Sequence, residues 1–291
     1  MELTWLEDLL ALAERRNFSR AAMARNVTQP AFSRRIQALE QWVGVPLVVR
    51  APQGLSLTAA GEVVHAQAAG LTRDLHQMRR DALKAAGREG TALAIAATHA
   101  LSFTFFPGWI RSMADLGSLG TLSLMSDTMA ACERILLAGD ADFLLCHTRP
   151  GVPTGLTPGA FDSRVVGTDR LVPVCAPDAT GTPRWTLPGE AAVPLLAYSE
   201  ASGLARILTA THGDLLALAP VFAAPLAATL QTMARQGQGL AWLPASLVVD
   251  DLAAGRLVDA GADAFAIEVE IRLFRPTRHR SATAEAFWAA L

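Results

Sequence analysis

The chain is poor in the residues that usually announce a covalent framework or an active site. Only three cysteines, Cys132, Cys146 and Cys175, stand among 291 residues. An odd count without CxxC spacing gives no disulfide framework and no zinc site. It leaves them as small buried hydrophobes, or as a redox pair that no spacing supports. Lysine is nearly missing: Lys84 is the single lysine among 25 basic residues, which speaks of a GC-rich genome and not of a function. No run of 18 or more apolar residues occurs, and Glu2, Glu7 and Asp8 stand near the start. Neither a membrane span nor a signal peptide is therefore expected, and the chain reads as cytoplasmic. There is no GxSxG, no HExxH, no P-loop and no GxGxxG behind a strand pattern. An enzyme is not expected, nor a cofactor, nor a metal site. Asp140 and Asp142 read as a turn before a strand.

What is present is a long apolar sequence with an uneven charge. The apolar fraction of 51% and the length allow more than one domain, each with its own core. Residues 1–90 hold 12 Lys+Arg and 9 Asp+Glu, a balance of +3, and the rest holds 13 and 18, a balance of −5. A mildly basic front fits nucleic-acid binding confined to that part.

The front contains the most informative segment, Asn17 to Gln41, which reads as two short helices joined by a tight turn. Ser19 is expected to cap the first, and Ala21, Ala22, Met23 and Ala24 are good helix formers. Asn26 marks its stop. Thr28 is expected to cap the second, with Pro30 in the first turn, where a missing N–H costs nothing. Phe32, Ile36, Leu39 and Val43 follow at i, i+4, i+7 and i+11 as one apolar seam. Helix 1, from about Leu3 to Glu14, offers Leu6, Leu9, Leu10 and Ala13 to cover it. Gln29, Pro30, Ser33, Arg34 and Gln37 fall on another side, without a carboxylate to repel phosphate. An amphipathic helix with a solvated face is the plain alternative.

Asn17-Phe-Ser-x-Ala-Ala, Thr28-Gln-Pro-Ala-Phe-Ser-Arg-Arg-Ile, Leu39-Glu, Gly44-Val-Pro-Leu and Leu57-Thr-x-x-Gly61 together resemble the amino-terminal domain of LysR-type transcriptional regulators. The resemblance spans about sixty residues with its spacings intact. It implies an α/β chain in three parts: a winged helix-turn-helix over 1–58, a linker helix over 59–90 and an effector-binding domain over 91–291. The last would have two lobes like a periplasmic binding protein, lobe I from 91–163 and 269–291 and lobe II from 164–268. By the same resemblance Thr28, Gln29, Pro30, Ser33 and Arg34 lie at double-stranded promoter DNA, with Ser19, Arg20, Gln37 and Arg50 as further candidates. Val45 to Arg50 and Leu55 to Leu57 would form the wing, with Gln53-Gly54 as its turn. Arg50 either contacts a phosphate there or is a solvated arginine. Segment for segment, Arg16-Asn-Phe-Ser19 is also similar to the hypochlorite-responsive branch of the family.

Thr58 can cap a long helix running to about Arg88. Val64, Ala68, Leu71, Leu75, Met78, Ala82 and Ala85 are spaced 4, 3, 4, 3, 4 and 3 apart, a heptad stripe. A stripe of that length needs a partner, and a second copy of the helix is the simplest one. Val64, Leu71, Leu75 and Met78 are the expected dimer contacts. The family resemblance implies a homodimer or a homotetramer.

Beyond the break expected at Gly87-Arg-Glu-Gly90, strand and helix patterns alternate. Strands are expected at Leu93–Ala96, Thr121–Met125, Phe143–Cys146, Leu171–Ala176, Val193–Ala197 and Leu240–Leu243. Helices are expected around 105–113, from 127 or 128 to about 137, and over 229–235. Alternation argues a mostly parallel sheet covered on both faces. By the resemblance, strands from both lobes cross near Arg164 and Glu268. Ligands of such sheets bind outside the carboxyl ends of the strands, at helix N-termini. That points to Thr98, His99, Ser126, Asp127, Thr128, His147, Ser199 and Ser202, although Ser126 to Thr128 read equally well as a helix cap. Arg206 is the nearest cation, so a small polar or partly apolar effector is expected rather than an anion held by arginines. Met125 and Met233 are either core filler or groups whose oxidation could bias the lobes without any bound ligand. A solute-binding protein carrying a helical cap, with no regulatory role, is the remote alternative.

Overall fold

The computed structural model describes residues 1–51, 54–86, 91–113, 121–187, 193–213, 220–261, 263–277 and 281–291. The expected turn residue Gln53 and the expected break at 87–90 lie outside the described residues, as do the side chains of Arg50 and Ala85. The chain divides into two compact units, Met1–Glu89 with Leu137–Asp140, and Gly90–Leu136 with Ala141–Leu291. Among the described residues no helix is long and apolar enough to cross a membrane.

The first unit runs α1 (Leu3–Arg15), α2 (Phe18–Ala24), α3 (Gln29–Val43), β1 (Val48–Ala51), β2 (Gly54–Leu57) and α4 (Ala59–Ala85). Helix α2 starts earlier than expected. Its cap is Asn17, whose Oδ1 accepts the Arg20 N–H at 3.0 Å, so Ser19 sits inside the first turn. An asparagine at an extended position reaches the third N–H as well as a serine does, and it came first in the chain. The helix ends before Asn26, which adopts φ +54°, a left-handed conformation that asparagine tolerates. Thr28 precedes α3 in an extended conformation but makes no side-chain cap bond.

Phe32, Ile36 and Leu39 of α3 are fully buried against Leu6, Leu9 and Leu12 of α1, and Phe18 meets Phe32 edge-on at 6.0 Å. Leu12, not Ala13, closes the seam. Glu40 reaches past the end of α3 to accept the N–H groups of Leu47 (2.8 Å) and Val48 (3.2 Å), which fixes the start of the wing. The wing itself is the antiparallel pair β1–β2. Gly61 has a steric reason to be glycine: a Cβ there would lie 2.1 Å from the Leu47 carbonyl oxygen.

Beneath the three helices lies an ionic cluster that no sequence pattern announced. Asp8 is fully buried. Its Oδ1 accepts from Arg25 Nε at 2.9 Å, its Oδ2 lies 3.5 Å from Arg35 Nη1, and Arg25 also pairs with Glu7. Burial alone would lower the Arg25 pKa, but the two carboxylates outweigh it and raise it.

Thr58 caps α4, accepting the Gly61 N–H at 3.0 Å while donating to the Pro46 carbonyl at 2.8 Å. The heptad stripe is split along this helix. Val64 and Ala68 pack onto the core of their own unit, Ala68 fully and Val64 partly buried there. Leu71, Leu75 and Met78 stay 47%, 39% and 62% exposed.

The second unit is α/β, with two hydrophobic cores. It continues through β3 (Thr91–Thr98), α5 (His99–Thr104), α6 (Phe106–Met113), β4 (Thr121–Asp127), α7 (Met129–Ala138), β5 (Phe143–Thr148) and β6 (Phe161–Cys175). Then come β7 (Leu195–Tyr198), α8 (Gly203–His212), β8 (Pro220–Ala224), α9 (Ala227–Arg235), β9 (Ala241–Pro244), α10 (Ala245–Ala253), β10 (Val258–Asp259), β11 (Ile267–Pro276) and α11 (Ala282–Ala289). One sheet runs in the order β10-β6-β11-β5-β3-β4, with β9 also on β6. Strand β5 is buried along its whole length between parallel β3 and antiparallel β11. Among the described residues the sheet is mixed and not mostly parallel as expected, because only β3, β4 and β5 pair in parallel while β6 pairs antiparallel with β9, β10 and β11. Strands β6 and β11 pair antiparallel over ten residues, with an irregularity between Ile271 and Arg272, and pass from one core to the other. The lobe boundaries expected at 163/164 and 268/269 fall inside these two strands. Lobe I packs Leu93, Ile95, Phe143 and Leu273 against Phe287 and Trp288, and lobe II packs Val174, Leu196, Leu230, Leu243 and Val269.

Candidate DNA-reading face and effector cleft

Gln29, Pro30, Arg34 and Gln37 on α3 are exposed, with Ser33 half-buried and hydrogen-bonded to Gln29 at 3.1 Å. Thr28 at its start and Ser19 and Arg20 on α2 are exposed too. The backbone of Arg50 belongs to β1, and its side chain lies outside the described residues. The buried seam of α3 faces α1, so these polar groups share the opposite, open side of the helix.

The cleft of the second unit forms where strand ends of both lobes meet helix N-termini. It is lined by Thr98, His99 and Ala100 after β3, Asp127, Thr128 and Met129 after β4, and His147 from β5. Lobe II adds Tyr198, Ser202, Gly203, Leu204, Pro225 and Ala227. Six of the eight expected residues therefore line it. Ser126 turns instead into a network within lobe I, bonded to His99 Nδ1 (3.1 Å) and Ser102 Oγ (2.9 Å). Ser199 does not line the cleft, and its N–H donates to the Ala224 carbonyl. Tyr198 and Met129 were not expected. Tyr198 directly follows the strand expected at Val193–Ala197, the same kind of position that pointed to Thr98 and His147.

Thr128 caps α7 through a 3.3 Å bond from the Ala131 N–H, and Asp127 Oδ1 accepts the Thr128 N–H at 2.6 Å. Thr98 and Ser202, at the starts of α5 and α8, make no side-chain cap bonds. Among the described residues, the buried Thr98 Oγ1 and Tyr198 Oη of the cleft have no hydrogen-bond partner, and His147 Nε2 has only a long contact to Asp169. Such groups are expensive to leave unsatisfied. The cleft has an open volume of about 400 Å³.

Behind the cleft His147 Nε2 lies 3.5 Å from Asp169 Oδ2, and Asp169 also accepts from Ser246 Oγ (2.5 Å) and Ser246 N (3.2 Å). Burial raises the Asp169 pKa, but His147 and Ser246 outweigh it and hold the carboxyl below its usual range. Burial and the Asp169 charge together push the Tyr198 phenol up. In lobe II, Asp251 is buried among Arg235, Arg256 and Gln231, and is likewise held low against the cost of burial. Depressed carboxyls contribute stability above their unfolded pKa and lose it as pH falls through the folded one. The thermal midpoint of the second unit is therefore expected to drop steeply below about pH 4. Asp169→Asn should flatten that slope in melts followed by circular dichroism, and an unchanged slope would remove Asp169 from the account.

Arg206, the expected nearest cation, is engaged elsewhere, its two Nη atoms on the Glu133 carboxylate at 2.7 and 2.9 Å. Neither Met125 nor Met233 lines the cleft: Met125 lies in β4 beside Ala96, and Met233 packs on the lobe II core. Among the described residues the buried cysteines form no disulfide, and burial raises all three thiols, Cys132 to about 12.

The family description "Bacterial regulatory helix-turn-helix protein, lysR family" matches residues 3–62. "LysR substrate binding domain" matches residues 86–291. The chain belongs to the LysR family. This LysR regulator is 32% identical to the HTH-type transcriptional regulator YjiE of Escherichia coli K12 over 293 residues, covering 100% of this chain and 94% of that one. It is similar to the full-length structure of HypT from Salmonella typhimurium, described as a hypochlorite-specific LysR-type transcriptional regulator, at 32% identity, TM-score 0.58 and coverage of 99% and 96%. It is also similar to Vibrio fischeri DarR, solved in complex with DNA, at 30% identity, TM-score 0.57 and coverage of 99% and 97%. It is thus a transcriptional regulator with a helix-turn-helix domain and an effector-binding domain, and its likenesses are to regulators rather than enzymes.

Proposed function

We propose that this regulator works in the cytoplasm as a homodimer or homotetramer that reads a roughly two-fold promoter site. Thr28, Gln29, Pro30, Ser33 and Arg34 would approach base edges, with Ser19, Arg20, Gln37 and Arg50 at phosphates. The open, carboxylate-free side of α3 is the observation that carries this reading. An effector in the cleft would meet Thr98, His99, Asp127, Thr128, His147, Tyr198 and Ser202. It acts by binding one arrangement of the lobes more tightly than the other. With no arginine or lysine among the lining residues, a small polar ligand held by hydroxyls and backbone N–H groups fits best.

Footprinting on the promoter beside its own gene tests the DNA role, and no protected site there or at neighbouring promoters would sink it. Arg34→Ala is expected to weaken specific binding about 10- to 100-fold, since a good bidentate base contact is worth about 1–3 kcal/mol. The fold should survive, because the side chain is exposed. If specific and non-specific affinity fall together and the salt slope drops by about one, Arg34 is a phosphate contact instead.

A second reading is an oxidant signal. Met129, 3% exposed, lines the cleft at the first residue of α7, and the similar HypT is described as hypochlorite-specific. A thermal-shift screen with small metabolites, run beside an oxidant titration of the wild type and Met129→Leu, separates the two.

A further inference from the structure

We propose that Glu133 and Arg206 form a latch that holds the two lobes closed before any ligand arrives. Glu133 lies on α7 of lobe I and Arg206 on α8 of lobe II. The carboxylate is 5% exposed, and the guanidinium meets it fork to fork at 2.7 and 2.9 Å. Planar two-point pairing of this kind fixes direction as well as distance. Glu133 Oε1 also accepts the Gly155 N–H at 2.6 Å, from the segment between β5 and β6. That bond anchors the carboxylate on its own side, so the pair cannot give way by swinging Glu133 outward. The start of α7 touches the segment that leads into α8 one turn nearer the cleft. The Ala130 N–H donates to the Ala201 carbonyl at 3.2 Å. A Cβ on Gly203 would sit 3.1 Å from Met129 Cγ, so the helix starts meet without spare room.

Closure has an opposing side. Among the described residues, Thr98 Oγ1 from lobe I and Tyr198 Oη from lobe II are buried without hydrogen-bond partners. Parting the lobes would let water reach them, so an empty closed cleft is disfavoured at these atoms. Something else must hold it shut, and the two-point charge-assisted pair joins the lobes without involving a cleft residue. Breaking the latch leaves the ligand to drive closure itself, and its apparent affinity falls by the fraction of molecules still closed. This last consequence rests on the cleft being the effector site; the latch does not.

Hydrogen exchange on the full-length, ligand-free protein tests it. Glu133→Gln and Arg206→Gln should each speed exchange about tenfold or more in residues 127–136 and 199–210, with β5 and β9 unchanged. Arg206→Lys, which keeps the charge but loses the fork, should fall between them and wild type. Unchanged exchange in both variants would overturn the latch. A rise spread over the whole second unit in Arg206→Gln would overturn it too, by making the pair a support of the fold. Altered exchange with no metabolite found to bind would leave the latch standing and count against the effector reading alone.

Discussion

Arg25→Met is expected to destabilise the DNA-binding unit by about 3–5 kcal/mol, the usual cost of leaving one member of a buried ion pair without its partner. Asp8 has no exposed surface, and its one hydrogen bond within 3.0 Å comes from Arg25 Nε. Arg35 stands 3.5 Å away, too far to replace it. Ionised Asp8 must then stay buried without that bond or take up a proton, and either outcome costs free energy at neutral pH. The pair ties α1 to α2, so DNA binding should fail with the unit while the second unit keeps its own transition. Urea unfolding followed at two wavelengths, with DNA binding by anisotropy, reads both. The double variant Asp8→Leu with Arg25→Met should recover most of the loss, since no charge is then stranded. A loss under about 1 kcal/mol in the single variant would mean that Arg35 already satisfies Asp8.

That cluster also marks where sequence reading stops. The seam of Phe32, Ile36 and Leu39 was legible because helical periodicity is local, and so were α4 and the central strands, whose apolar runs are continuous. Asp8 on α1 and Arg25 just past the end of α2 are 17 residues apart, and no period links them. Glu40 and Gly61 were noticed as parts of a motif, but their reasons are tertiary: two N–H groups of the wing and the Leu47 carbonyl. The first half of β6 escaped because Phe161 to Arg170 is largely polar and partly exposed where it passes between the lobes. Strand β11 was readable and overlooked, since Ile267, Val269, Ile271 and Leu273 alternate with charges.

In the cleft, the strand-end rule found Thr98, Asp127, Thr128, His147 and Ser202 among the lining residues because every parallel strand delivers its last residue to one edge. It could not say which way each side chain turns once there. Ser126 closes a local network, and Arg206 answers a glutamate 73 residues earlier. Met125 at a strand end and Met233 on a helix were the expected candidates, and neither lines the cleft. Met129 sits instead at a helix start, where its contact with Gly203 depends on how two lobes meet.

Leu71→Asp is expected to convert the protein to a monomer and to reduce specific DNA affinity by about two to four orders of magnitude, the range that bivalent attachment contributes. In the isolated chain Leu71, Leu75 and Met78 leave a continuous apolar stripe in water, while Val64 and Ala68 at the start of the same stripe are covered by their own unit. A folded core therefore explains the first turns of α4, and the later turns keep a hold on their own unit through buried Thr72 and the His76–Glu7 pair, but that hold leaves the stripe of Leu71, Leu75 and Met78 uncovered. Burying a leucine of this kind contributes about 1.5–3 kcal/mol, and a two-fold seam counts each side chain twice. An aspartate there is also counted twice, as two carboxylates facing each other in an apolar groove, so the change acts against the dimer by both loss and repulsion. Its effect on the chain alone should be small, because Leu71 is 47% exposed and packs into no core. Circular dichroism should match the wild type while sedimentation equilibrium shows the smaller mass. A variant that sediments like the wild type would place the seam elsewhere, and the exposed turns of α4 would need a different partner. A variant that is monomeric yet binds DNA as tightly would mean that one recognition helix suffices, and the two-fold promoter reading would fall with it.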